Sequence, residues 1–565
     1  MPEAYFRALQ EGAERTPDRL FFRLHGVDAG VFTFARMLQS IEAGAASLAA
    51  RHVEPGDIVL IFAQHSLGML QAFFGAQRLL AVPAFLPPPT SRQPLSGWVE
   101  GHRALIARID PALIVCEDRF LPHIRELGDV ETVTTSDLEA FSGDRGALPT
   151  LQAEPGRIAF LQHSSGTTGL KKGVTVTYGQ LAAQLRGYSR ALGIDPEQDC
   201  IVSWLPLYHD MGLIAATLLP FRLGVPVDII ETFEWLAQPA RYIDLLRARP
   251  RSFSWLPNFA LTFLAQRVDP PPPEALAHVR AIINCSEPCK ADAMNAFIER
   301  FSPAGLPSDA VQVCYAMAEY VFAVTQTETG KAPHVLSVKS DPLEARQEVE
   351  LADGESRDRQ QRFVSVGRPI QDTEIRIGDA EASVENRVGE IRVRGSSACS
   401  GYYANPEMTQ NKFKDGWYHT GDLGFVHNGE LYVTGRSDDL IIIRGRNIYA
   451  HDLEALVSEV ENVKRGRTVA FGIFDDVLGT EKLIIAAELN HPNLPLPASR
   501  LIRSRVLEVY GVSPADIVVT GPDTLIKTTS GKMSRSENQK RYVAGTLERW
   551  DASGRETNDE RARSG

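Results

Sequence analysis

Short apolar runs, each ending in a polar or glycine-bearing junction and each followed by a helix-length amphipathic segment, constrain the fold of this chain more than any other feature. Residues 34–52 carry a helical period and lead into Ile58-Val59-Leu60-Ile61-Phe62; residues 69–80 repeat the pattern before a second apolar run at 81–86. Pro87-Pro88-Pro89 stops that unit and opens a polar loop through Gly97, after which a helix at 101–109 and a strand at 112–116 resume the alternation. Further runs at 200–205, 279–284 and 311–315 are interleaved with helical stretches such as 181–192. Strand and helix alternating in this way predict an α/β fold, with a large multi-layer N-terminal domain built on mostly parallel sheets. Ligands of such sheets bind beyond the carboxyl ends of the strands, so the junctions are where chemistry is to be sought.

The chain has 565 residues, 44% hydrophobic and 23% charged, enough for a large α/β body and a further domain. Its net charge of −12 argues against non-specific nucleic-acid binding. Six cysteines contain no CxxC pair and no spacing suited to structural zinc, which points to a reducing, cytoplasmic setting. The opening MPEAYFRALQEGAERTPDRL bears acids and lacks a basic region followed by an apolar core, and no apolar run approaches the ~20 residues of a membrane span. A soluble protein is expected.

The junction after the apolar run 158–161 is Ser164-Ser165-Gly166-Thr167-Thr168-Gly169, followed by Lys171, Lys172 and a second strand from Gly173. Glycines that free the backbone, hydroxyls and two lysines are the chemistry of a phosphate cradle. The same composition, taken alone, is more often a solvated hairpin turn. It is not a Walker loop, because Lys171 stands where the second glycine belongs and Lys172 precedes Gly173 rather than Ser or Thr.

The run 200–205 ends in Pro206-Leu207-Tyr208-His209-Asp210-Met211-Gly212, which puts a histidine at a sheet edge; a half-buried histidine beside a helix-capping Asp210 is the plainer reading. FSWLPNFALTFL (253–264), with Trp255 and Phe259, suits a pocket lining or plain core equally. Two later runs end in Cys285-Ser286-Glu287-Pro288 and in Tyr315-Ala316-Met317-Ala318-Glu319. Glu319, between apolar stretches, needs a cation or a basic partner. Residues 325–362 turn polar, too long for a plain connection, and read as an insertion with structure of its own or a mobile segment. Asp422, between Gly421 and Gly424, reads as a turn residue flanked by strands at 390–393 and 431–433.

Gly435-Arg436-Ser437-Asp438-Asp439-Leu440 is a polar break, and residues 437–440 are expected to be a hinge between a domain spanning 1–436 and a small, mobile α+β C-terminal domain spanning 441–549. The small domain is read as helix 451–460, strands 468–473 and 482–489, helix 500–509 and strand 517–519, closing on Lys527-Thr528-Thr529-Ser530-Gly531-Lys532. Residues 550–565 are expected to form a disordered tail.

The ordered set HSSGTTGLKKG, WLPLYHDMGL, CYAMAEY, WYHTGDLG, GRSDDLIIIRGRN and KTTSGKMSR resembles the adenylate-forming superfamily of acyl-CoA synthetases, adenylation domains and luciferases. Within it, the WLPLYHDMGL form, the NCSEP junction and the 325–362 interval resemble fatty acyl-AMP ligases. The resemblance implies activation of a fatty acid by ATP with Mg²⁺, release of pyrophosphate, and transfer of the acyl group to the phosphopantetheine of a separate acyl carrier protein. It assigns the β- and γ-phosphates to Ser164, Ser165, Gly166, Thr167, Thr168, Gly169 and Lys172, and Mg²⁺ to Glu319 with Ser164 as a further ligand. Adenine falls to Tyr315, Ala316 and Met317, with Ser286 and Glu287 as the opposite wall; ribose falls to Asp422, assisted by Arg436. His209 is implied beside the reacting carboxylate and Lys532 at the α-phosphate, with Lys527 the competing lysine and Asp438 the pivot of domain rotation.

Three positions depart from the family pattern: Lys171 replaces a proline, Ala316 a glycine, and Cys285-Ser286 a glycine and alanine. If the backbone at Ala316 needs a positive φ, the adenine wall must differ. The rival readings are an acyl-CoA synthetase, an amino-acid adenylation domain and a catalytically silent nucleotide- or acyl-binding protein. The insertion discriminates the first, because the resemblance implies that it hinders the rotation needed for thioester formation with coenzyme A.

Overall fold

In the computed structural model the described residues are 3–26, 29–89, 95–143, 148, 152–164, 172–352, 359–379, 384–443, 446–475, 479–491, 495–527, 533–550 and 556–557. Among them the largest sheet has nine strands, in the order Arg368–Pro369, Ala323–Gln326, Val311–Ala316, Ala281–Asn284, Ser252–Leu256, Cys200–Ser203, Val227–Ile230, Leu20–His25 and Gly30–Thr33. Its six central strands run parallel, from Val311–Ala316 across to Leu20–His25. The strands Ser252–Leu256 and Ala281–Asn284 are buried throughout, as expected of parallel strands covered on both faces. A second sheet, all parallel, orders Val82–Phe85, Ile58–Phe62, Leu113–Cys116 and Thr132–Thr134. The fold is α/β with large, mostly parallel sheets and a strand-rich C-terminal unit.

A third sheet, antiparallel, holds Thr373–Ile377, Gly389–Gly395, Trp417–His427 and Glu430–Arg436. Here the structure corrects the expected turn at Asp422. Trp417–His427 is one continuous strand with a register shift between Leu423 and Gly424. Gly424 is needed there because a Cβ would stand 2.5 Å from the Tyr432 carbonyl oxygen.

Residues 325–362 contain the strand Val335–Lys339, the helix Ser340–Arg346 and the strand Gln360–Val364, the two strands pairing antiparallel. Val338, Leu343 and Val349 bury themselves against Leu423, Phe425, Tyr432 and Tyr449, so this segment has its own apolar anchor. Beyond it, Val463–Asp475, Thr480–Leu489 and Asp516–Thr520 form a three-stranded sheet carrying Ala450–Val457, Pro495–Tyr510 and Arg535–Val543. Its two apolar clusters, around Ile485 and around Val469, are separate from the core of the large sheets. Arg549–Trp550 pairs antiparallel with Glu556–Thr557, so part of the expected disordered tail is ordered; residues 551–555 and 558–565 lie outside the described residues.

Candidate active site

Tyr315 leaves the carboxyl end of its parallel strand and donates its hydroxyl to Asp422 at 2.5 Å. The register of the third sheet sets Asp422 opposite Arg436, and the guanidinium approaches the other carboxylate oxygen at 3.3 Å. Asp422 also receives its own backbone fixation, its N–H donating to the Thr420 hydroxyl at 2.9 Å. Burial raises the Asp422 pKa above the ordinary 3.8, against the opposing pull of the Arg436 charge and the Tyr315 hydrogen bond. The result is a mostly buried carboxylate held by one phenol and one guanidinium from two different sheets.

Six residues past Tyr315, at Val321, the backbone makes a γ-turn. Val321 has φ 63 and ψ −53, and the Phe322 N–H donates to the Tyr320 carbonyl at 2.7 Å. A β-branched residue in that region costs about 1–3 kcal/mol and persists where packing fixes it; Val321 is fully buried. The turn presents Glu319. Its carbonyl accepts from the Cys399 N–H at 2.9 Å, which ties the 399–403 segment to it, while Tyr403 N–H donates to the Gly173 carbonyl at 2.8 Å. Tyr402 is thus held between the hairpin Ile158–Ser164/Lys172–Thr177 and Glu319, and donates its hydroxyl to the Glu319 carboxylate at 2.9 Å. Tyr418 stands 3.4 Å behind it.

Lys172 Nζ lies 5.7 Å from the Tyr402 ring centroid. Burial lowers its pKa, while Glu319 draws it back up and Lys412 and Arg436 lower it further. A cleft of about 390 Å³ opens beside this hairpin, lined by Thr175, Ser400, Gly401, Tyr402, Asn405 and Thr409 among others. Two carboxylates, three phenols and the cations Lys172, Lys412 and Arg436, brought together from two sheets and a hairpin, therefore make a setting that can hold a nucleoside and the negative charge of its phosphates.

The remaining sequence candidates divide. Ser286 takes φ 67, and Glu287 accepts from the Phe259 N–H at 3.0 Å, fixing the start of the helix Asn258–Arg267. Ala316 lies inside its strand and is absent from the positive-φ residues, so the left-handed requirement considered for it falls instead on Ser286 and Val321. Met317 is extended, its N–H bonded to the Phe322 carbonyl at 2.8 Å. His209 is half-buried against the Tyr208 ring, 4.8 Å away, and heads the π-helical segment Met211–Leu218. Trp255 is fully buried, its indole N–H donating to Tyr188 at 2.8 Å, whereas Phe259 is 46% exposed and edge-on to Trp204 and Trp235. Asp438 is exposed in the short turn Ser437–Asp439. Ser165, Gly166, Thr167, Thr168, Gly169, Lys532 and the side chain of Ser164 lie outside the described residues.

Tyr402, Tyr418 and Lys412 escaped the sequence reading. Tyr402 sits in a polar stretch with no periodicity, and long-range backbone contacts, its bridge to Val174 among them, bring it to the site.

A large α/β body with nucleotide-binding chemistry at its strand ends, followed by a small α+β unit, defines an adenylate-forming class of enzyme. Residues 9–403 match the model of the AMP-binding enzymes, and the chain belongs to that family. It is 31% identical over 559 residues to a probable long-chain-fatty-acid–AMP ligase of Mycobacterium tuberculosis, covering 92% of this chain and 93% of that one. It is 30% identical to a putative acyl-CoA synthetase of Caulobacter vibrioides, covering 93% and 92%. Among solved structures, one from a study of fatty acyl-adenylate ligases from E. coli and L. pneumophila superimposes with a TM-score of 0.84 at 28% identity, covering 95% and 96%.

Proposed function

We propose that the protein activates a fatty acid with ATP, forming an acyl-adenylate and pyrophosphate, and then passes the acyl group to the phosphopantetheine thiol of a separate acyl carrier protein. The observation that carries this reading is the Tyr315–Asp422–Arg436 arrangement standing beside Glu319, Tyr402 and Lys172. Asp422 accepts both ribose hydroxyls, with Arg436 holding it in place, and Tyr315 stacks on adenine between Ala316–Met317 and the Ser286–Glu287 wall. Lys172 and the 164–169 loop neutralise the β- and γ-phosphates. His209 stands by the incoming carboxylate, and Phe259 borders the acyl chain.

Among the described residues no three His, Cys, Asp or Glu side chains converge on a metal site. Glu319 would hold magnesium, a hard cation that suits a lone carboxylate alongside phosphate oxygens, and Ser164 is the further ligand expected from the sequence; the ion would supply charge neutralisation for the triphosphate. The carboxylate of the fatty acid attacks the α-phosphorus and pyrophosphate leaves. Lys532 supplies the charge that spans the attacking carboxylate and the α-phosphate when the C-terminal unit turns about Asp438.

Lys532→Ala should nearly abolish fatty-acid-dependent ATP–pyrophosphate exchange while ATP still binds; undiminished exchange refutes the assignment. Coenzyme A as acceptor is the second reading, favoured by the acyl-CoA synthetase relative. The anchored insertion supports the carrier instead, because Glu344 within it accepts from Arg446 at 2.7 Å and its carbonyl accepts from Asn447 at 3.0 Å, restraining the C-terminal unit. All six cysteines are free and no described helix is long and apolar enough to cross a membrane, which supports a cytoplasmic setting.

A further inference from the structure

The helix Pro495–Tyr510 turns Ala498, Ile502, Val506 and Tyr510 into the C-terminal core and leaves Leu496, Leu501 and Leu507 about half exposed, at 48, 48 and 50%. No other described helix or strand carries three large exposed apolar side chains. At helical spacing, Leu496, Arg500, Arg503 and Leu507 form one stripe, while Leu501 and Arg505 lie further round the exposed side of the helix. The charge here opposes that of the whole chain: three arginines and one glutamate occupy this helix of a protein whose net charge is −12. Arg505 is paired with Glu508 at 2.9 Å and Arg503 reaches Ser513 at 3.0 Å, while Arg500 has no ion-pair or hydrogen-bond partner among the described residues.

The position of the helix matters as much as its composition. Its last residue, Tyr510, receives a hydrogen bond from Arg446 at 2.8 Å and lies 5.2 Å beneath the guanidinium of Arg359, which belongs to the insertion. The stripe therefore runs along the C-terminal unit towards its junction with the large body. An acceptor seated on it is directed to the side of the molecule where the adenylate has to be reached.

We propose that this face docks the acceptor, a small acidic carrier protein that lays an acid-rich helix with a few apolar side chains along Leu496, Arg500, Arg503 and Leu507. The proposal rests on the carrier-protein reading above. Exposed leucines provide the apolar contact, and the arginines steer an acidic partner and set its register. Coenzyme A has no such surface, so the face discriminates protein-borne from free pantetheine thiols.

The test uses the full chain, ATP, a fatty acid and a purified acidic holo-acyl carrier protein. In Arg500→Glu/Arg503→Glu, and separately in Leu507→Gln, acyl-adenylate formation should stay within about twofold of the unmodified protein, which also reports correct folding. The KM for carrier should rise about tenfold in the charge-reversed variant, the scale of lost electrostatic steering. A carrier with acidic helix residues changed to lysine should recover part of that loss. Transfer with an unaltered KM in both variants overturns the docking face and leaves the carrier reading standing. Adenylate formation without transfer to the carrier in the unmodified protein overturns both. Binding to anionic-lipid vesicles that the arginine changes abolish, together with an unaltered KM for carrier, assigns the face to a membrane surface instead and also overturns the proposal.

Discussion

Asp422 combines a charged function with burial, and its two pH dependences have opposite signs. Its folded pKa lies above the ordinary 3.8 because burial disfavours the carboxylate. Between those values the folded chain holds more protons than the unfolded one, so the stability this group contributes is complete at low pH and is lost as pH rises through the folded pKa. In the proposed role of Asp422, nucleotide binding would run the other way, since two ribose hydroxyls require the ionised acceptor. ATP affinity should therefore fall on acidification at a pH above that at which an ordinary aspartate titrates, and Asp422→Asn should flatten this dependence. Losing a charged hydrogen-bond acceptor costs about 1.5–3 kcal/mol, so Asp422→Asn should also weaken ATP binding roughly ten- to a hundredfold. Calorimetric titration with ATP across the acidic range checks both, and an unchanged profile in the variant contradicts the role.

Among the elements, the segment behind His209 depends on one close approach. A Cβ on Gly212 would stand 2.4 Å from the Pro206 carbonyl oxygen and 2.8 Å from that of Leu205, both backbone atoms with little room to move. Gly212→Ala should displace the Pro206–Asp210 turn and cost about 1–3 kcal/mol, the usual range for overpacking. Thermal unfolding and the KM for fatty acid report it together. A variant that retains both values shows that His209 is not held from this side. Much of the element layout was legible, because parallel strands such as Ile58–Phe62 are continuous apolar runs and need no partner to be seen. Trp417–His427 was not, since Gly421 and Gly424 imitate a turn and it is the pairing with Gly389–Gly395 and Glu430–Arg436 that makes the segment a strand. Tyr402 was illegible for the same reason, its role resting on a backbone bridge and not on a local pattern.

At the scale of the molecule, contacts between the insertion, the large body and the C-terminal unit set what motion is available. Glu344 is almost fully buried and holds both Arg359 and Arg446, while Lys290 pairs with Asp452 at 3.0 Å across the same junction. Glu344→Ala removes the partner shared by two guanidiniums that are themselves a quarter and about a third exposed, so water screens much of the loss, which should be about 1–2 kcal/mol. The freed C-terminal unit should then form more acyl-CoA when coenzyme A is supplied. No increase in thioester would show that other contacts restrain the rotation. Such links join residues a hundred positions apart, which explains why the domain junction was readable as a polar break but its fastenings were not.

The activity itself is tested most directly by incubating the full chain with ATP, magnesium, a fatty acid and coenzyme A, and identifying the products by mass spectrometry. Acyl-adenylate and pyrophosphate as the main products, with little acyl-CoA, are the predicted result. Efficient acyl-CoA formation, or no adenylate with any of a panel of fatty acids, would contradict it.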